Sequence, residues 1–164
     1  MPNATELYED GLTYEEAGYY INALLQYVNA LAFDRKLTVI YNKIGKILYN
    51  NYNKYLEALH CFTAIKNLPE MEKCFQKLDE IYPNSAYIED IKGDCYATSD
   101  LILKAQECYY EALKITEDTE FKFGIYYKVT NLSEQHYNEF DINYIYNAVY
   151  ELYKIDLSYE LDYF

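Results

Sequence analysis

The chain has 164 residues, 51% of them hydrophobic and 25% charged, with a formal net charge of −13. That length suits one domain or a short solenoid, and that composition excludes a disordered chain. A strongly acidic balance excludes a nucleic-acid binder, which needs a basic face to displace counterions from phosphates, and no apolar run reaches the roughly 18 residues of a membrane helix.

The first stretch, MPNATELYED, is acidic and lacks a basic start followed by an apolar run, so no signal peptide and a cytoplasmic location are expected. Beyond it the apolar residues recur at helical spacing. Leu7, Gly11 and Tyr14 line one stripe, and Ala23, Tyr27 and Ala30 line the next, with a break at Glu16-Ala17-Gly18. Glycine inside a helix costs about 1 kcal/mol relative to alanine. Gly11 therefore implies a close helix crossing, with Tyr14 and Tyr27 filling the space beside it, whereas Gly18 suits a left-handed helix end. Continuing along the chain, the pattern predicts nine antiparallel helices at 4–17, 19–33, 36–50, 53–67, 69–82, 86–98, 101–115, 119–135 and 139–157.

Charge is uneven along these elements. Up to Phe33 there are five acids and no base; from Asp34 to Lys73 there are seven bases and four acids; the remainder is strongly acidic. With only five glycines and three prolines, most turns must be made from other residues. The last helix carries Tyr144, Ile145, Val149, Leu152 and Tyr153 as a stripe that suits core packing or self-association.

A shift of 34 residues matches the chain to itself: Cys61 falls on Cys95, Phe62 on Tyr96, Met71 on Ala105, Cys74 on Cys108 and Phe75 on Tyr109. Units of that length are stacked supersecondary elements that cannot bury their apolar faces alone. Leu7, Asp10, Gly11, Tyr14, Ala23, Tyr27 and Ala30 stand on the W-x2-L-G-x2-Y … A-x3-F-x2-A pattern of the tetratricopeptide repeat, which this stretch resembles. A second copy has Gly93, Tyr96, Ala105, Tyr109 and Ala112, with Glu89 and Lys92 where large apolar residues are expected. A looser one has Tyr41, Ile44, Gly45 and Leu48, then Ala58 and Phe62 one residue late. The helix near 53–67 either closes a unit at 38–71 or opens one at 52–85. Gly124 and Tyr127 form a faint opening motif in divergent capping helices over 119–157.

The resemblance implies an all-α fold, a right-handed superhelical stack of antiparallel helix pairs forming one solenoid domain over 1–164. It implies a concave groove that takes a peptide or helix of another protein. Its residues would be Tyr8, Glu9 and Leu12 on the first helix, Asn42, Lys43, Lys46 and Tyr49 on the third, and Tyr87, Ile91 and Asp94 on the sixth. Such a groove is acidic at both ends, which suits a basic occupant. It lacks the Lys, Asn and Arg clamp with which similar modules grip acidic chaperone tails, since Thr5, Glu9, Tyr87 and Ile91 hold those places.

No constellation for catalysis is visible. The cysteine spacings of 13, 21 and 13 contain no zinc-type pair, and the four thiols are expected reduced and buried. His60 and Cys61 are adjacent and diverge on a helix, and His136 stands in an expected loop. No phosphate-cradling glycine loop is present, so no cofactor or metal is expected. The chain reads as a non-enzymatic interaction module. Alternatives are a small acidic cytoplasmic chaperone and a peptide-sensing regulatory piece of a longer protein.

Overall fold

The computed structural model describes residues 1–132 and 142–162. The expected loop around His136 and the facing ends of the last two expected helices lie outside them. Among the described residues the chain is all-helical, with nine helices and no strand. They are α1 (Ala4–Glu16), α2 (Tyr20–Phe33), α3 (Thr38–Tyr52), α4 (Tyr55–Ala64), α5 (Leu68–Ile81), α6 (Ala86–Thr98), α7 (Ile102–Ile115), α8 (Thr119–Thr130) and α9 (Ile142–Asp162). None is long and apolar enough to cross a membrane.

Local chemistry starts and stops these helices. Asn3 opens α1 with a capping box: its side chain accepts from the Glu6 amide at 3.0 Å, and the Glu6 carboxylate accepts from the Asn3 amide at 3.1 Å. Ser85 caps α6 and Asp118 caps α8 in the simpler way, each accepting from the amide three residues on. At the turns, Gly18 takes φ +82°, but the other left-handed positions fall to Asn53, Lys66, Asn84 and Asp100. Asparagine and aspartate tolerate that region better than most side chains. Glycine is used elsewhere.

The chain divides into two compact units, Met1–Ile65 with Phe140–Phe164, and Lys66–Glu139. In the first, α1 and α2 form one hairpin through Ala17-Gly18-Tyr19, and α3 and α4 another through Asn53-Lys54. Short connections of this kind leave the two helices antiparallel neighbours. Leu24, Tyr27, Leu31, Ile40, Ile44, Leu48, Leu59 and Phe62 fill the core between them. In the second unit α6 and α7 form a hairpin through Ser99-Asp100-Leu101, with α5 against α6 and α8 against α7. Ala97, Ala105 and Ala112 cluster there with Tyr109, Ile125 and Leu132, and Met71, Phe75, Leu78 and Ile88 are also buried in this unit.

Each hairpin crosses at a buried glycine. A Cβ on Gly45 would stand 2.7 Å from the Phe62 ring, and one on Gly11 or Gly93 would run into the rings of Tyr27 or Tyr109. The aromatic follows the glycine by 16 residues at Gly11 and Gly93 and by 17 at Gly45. The Phe62 contact joins α3 and α4 as one hairpin. Gly11 and Gly45 are 34 residues apart, whereas Gly45 and Gly93 are 48 apart, a difference equal to the 14 residues of α5.

The expected opening motif at Gly124 and Tyr127 is not such a crossing. Nothing lies within 4 Å of a Cβ on Gly124, and Tyr127 is 66% exposed. No described ring is aimed at this glycine, so its lack of a side chain serves no close approach. The last helix, expected to continue a terminal pair, belongs to the first unit and packs on α2 and α4.

Opposite signs are expected for two glycine substitutions of identical chemistry. Gly93→Ala drives a methyl into the Tyr109 ring, and overpacking of about 1–3 kcal/mol outweighs the gain in helix propensity. Gly124→Ala meets open space and should stabilise by up to about 1 kcal/mol. Urea unfolding followed by circular dichroism reads both; a shift of the same sign in the two variants would contradict the crossing geometry.

Candidate functional site

The sequence-derived groove residues fall in both units. On α1, Tyr8 and Leu12 are half-buried and Glu9 is exposed; on α3, Lys46 is exposed and Asn42, Lys43 and Tyr49 are half-buried. Lys43 is tied to Glu15 at 3.4 Å, and Glu15 also accepts from the Tyr27 hydroxyl. Tyr8 leans on the Tyr27 ring at 5.9 Å, and Tyr49 meets Tyr55 edge-on at 5.0 Å. These side chains therefore hold α1, α2, α3 and α4 together as well as facing outward. On α6, in the second unit, Tyr87 is 59% exposed, whereas Ile91 is half-buried. Asp94 accepts from the Tyr109 hydroxyl at 2.6 Å and from Lys128 at 3.0 Å. Lys128 also reaches Asp90 at 2.8 Å, so this face of α6 is bound to α8.

The opposite face of α6 borders a cleft of about 690 Å³ between α5, α6 and α7. Its apolar lining comes from Phe75, Tyr96 and Cys108, and the rings of Phe75 and Tyr96 meet edge-on at 5.2 Å. Five carboxylates, those of Glu72, Asp79, Glu80, Glu89 and Glu107, line it against two ammonium groups, Lys92 and Lys104. Both lysines are engaged. Lys92 donates to Asp79 at 2.6 Å and to Glu89 at 2.9 Å, while Lys104 pairs with Glu72 at 3.6 Å and sits 5.4 Å over the Tyr96 ring.

The environment keeps this cleft uncharged at its floor and anionic at its rim. Burial, reinforced by Glu72, pushes the Tyr96 hydroxyl up to about 12. Burial and Glu89 push the Cys108 thiol up to about 12, against the opposing pull of Lys92. Burial also raises Cys74 to about 12. Thiols held so high are neutral and poor nucleophiles at neutral pH. Lys92 shows the reverse balance: burial disfavours its charge, but its hydrogen bonds to Asp79 and Glu89 prevail and hold its pKa above the ordinary value.

The sequence reading did not find this cleft. Its signal was present as a departure from pattern, because Glu89 and Lys92 occupy places where large apolar residues were expected. Leu7, the counterpart of Glu89 in the first copy, is only 7% exposed. An apolar side chain at such a place fills space, whereas Glu89 and Lys92 line an open furrow.

In the first unit a comparable furrow is filled by α9. The Tyr146 hydroxyl donates to the Val28 carbonyl of α2 at 2.6 Å, and Tyr144 meets His60 of α4 with ring centres 4.4 Å apart and planes tilted by 56°. Ile145, Val149 and Leu152 are buried there. The stripe that the sequence left open to core packing or self-association is thus packed within its own unit.

All four cysteines are free; Cys61, Cys74 and Cys95 are buried and Cys108 is half-buried. Among the described residues no three histidine, cysteine, aspartate or glutamate side chains are grouped to hold a metal ion. No family model, curated protein or solved structure matches the chain.

Two outcomes are expected at these furrows. Lys92→Met leaves Asp79 and Glu89 facing each other without a cation and should lower stability by on the order of 1 kcal/mol, more at low salt, in urea unfolding. For His60, burial under α9 lowers the pKa, with Glu57 opposing. The unfolded chain then binds a proton more readily than the fold does. This contribution to stability is complete above about pH 6.5 and is lost as pH falls toward the lowered folded value. Urea midpoints measured between pH 7.5 and 5.5 should fall, and fall less in His60→Phe; equal slopes would remove His60 as the cause.

Proposed function

We propose that this chain is a non-enzymatic interaction module, a tetratricopeptide-like stack whose surface takes a peptide or helix of another protein. The observation that carries the reading is the crossing of three hairpins at a glycine faced by an aromatic of the following helix, Gly11 with Tyr27, Gly45 with Phe62 and Gly93 with Tyr109. Those are the positions at which the sequence resembles the repeat. Stacked hairpins offer extended faces rather than an enclosed pocket, and such faces suit a segment of polypeptide. Tyrosines on them supply flat area and a hydroxyl at little cost in side-chain entropy. In the right-handed stack that this family implies, Tyr8, Lys43 and Lys46 stand on the groove.

Display of a random peptide library against the whole chain tests this. Enriched peptides sharing one pattern of residues are expected, with enrichment lost from the triple variant Tyr8→Ala, Lys43→Ala, Lys46→Ala if the groove on α1 and α3 is used. A library that yields no peptide above background would overturn the interaction-module reading.

A further inference from the structure

Resting on that reading, we propose that the cleft between α5, α6 and α7 is the seat of a basic amphipathic helix from a partner protein. The first unit supplies the geometric precedent. There α9, an amphipathic helix, lies against α2 and α4 and buries Ile145, Val149 and Leu152. It faces α4 through His60, two residues before the ring that meets Gly45, and borders Glu57, five residues before it. In α7 the residues two and five places before the corresponding ring, Tyr109, are Glu107 and Lys104, and both line the open cleft. The same face of the closing helix is covered by a helix in one unit and borders an open cleft in the other. α5 precedes the α6–α7 hairpin as α2 precedes α3–α4.

The chemistry of the lining selects the occupant. The half-buried Tyr96 ring, with Phe75 packed behind it, offers an aromatic surface for apolar side chains along this cleft of about 690 Å³. Its five carboxylates outnumber its two ammonium groups, both already paired within the cleft; Glu80 pairs with Lys77 of its own helix at 3.6 Å, and an acidic excess remains. Lysine or arginine flanking an apolar stripe would meet that excess. A second copy of α9 would not, since that helix carries Glu151, Asp156, Glu160 and Asp162 against Lys154 alone.

The test uses a fluorescent peptide of roughly 18 residues, about five helical turns, with leucine on one face and lysine on the other. Its glutamate counterpart and a scrambled peptide without an apolar face serve as comparisons. Anisotropy should show binding of the lysine helix alone. The pair Glu80→Lys, Glu107→Lys should weaken it by about tenfold, while Glu16→Lys, Glu117→Lys, the same charge change on exposed sites outside the cleft, leaves it nearly unchanged. Hydrogen exchange with the peptide bound should protect α5 and α7. Equal weakening in both pairs, or equal binding of the scrambled peptide, would reduce the effect to diffuse attraction and overturn the proposal. Protection on α1 and α3 instead would overturn the cleft and leave the interaction module standing. Binding of no peptide here, together with an empty library screen, would overturn both.

Discussion

Two helices can approach closely only where the side chains between them permit it, and in this chain the permission comes from a missing Cβ. At Gly11, Gly45 and Gly93 an aromatic ring from the following helix occupies the space a methyl would need. The ring does two things at once. It fills the crossing to the density of a protein interior, and its burial removes a large apolar surface from water, worth roughly 1.5–3 kcal/mol for each ring. Tyr27 and Tyr109 add a polar end, since their hydroxyls emerge beside Glu15 and Asp94 and donate to them. The carboxylate then becomes available to a third helix, through Lys43 in one unit and Lys128 in the other. A single close contact thereby sets the spacing of a hairpin and places the charged pair that holds its neighbour.

With four of the five glycines inside helices, three of them at crossings, only Gly18 is left for a turn. Asn53, Asn84, Asp100 and Lys66 adopt the left-handed conformation that glycine would otherwise take. Asparagine and aspartate manage this through short polar side chains that bond locally. Lys66 has no such device, yet its ammonium pairs with Asp100, itself a left-handed residue in the α6–α7 turn, at 2.9 Å. Both side chains are largely exposed, so the pair contributes little energy, but it joins two turns of the second unit.

How far the sequence could be read followed from how local each signal was. The nine helices and most of their ends were readable because amphipathic spacing and caps act within a few residues. The crossing at Gly11 was readable for the same reason, since Tyr27 lies one hairpin away. The seat of α9 was not. Tyr146 meets Val28 across 118 positions, and no periodicity links them. The added helix α5 registered only as two competing phases, because each phase used real matches on either side of it. Among the candidate groove residues, the sequence placed Lys43 and Asp94 on outward faces but could not show that Glu15, Tyr109 and Lys128 would engage them. The α5–α6–α7 cleft escaped because it is made by departures from pattern, Glu89 and Lys92, and a pattern search discards its mismatches.

The two units also differ in what covers the furrow beside their closing helix. Leucine, isoleucine and aromatic side chains fill the first, and α9 adds Ile145, Val149 and Leu152 to it. The second buries Met71, Phe75, Leu78 and Ile88 on α5 and α6, beside a cluster of three alanines with Tyr109, Ile125 and Leu132. Its cleft, moreover, gathers like charges whose mutual repulsion Lys92 and Lys104 only partly offset. Any cationic helix that settles there would relieve that repulsion and cover Tyr96 in the same step. Ligand binding to the folded form alone adds directly to stability by mass action. Occupation of the cleft would thus couple partner capture to the firmness of the second unit. The first unit, which carries a helix in its corresponding furrow, has that contribution built into its own chain.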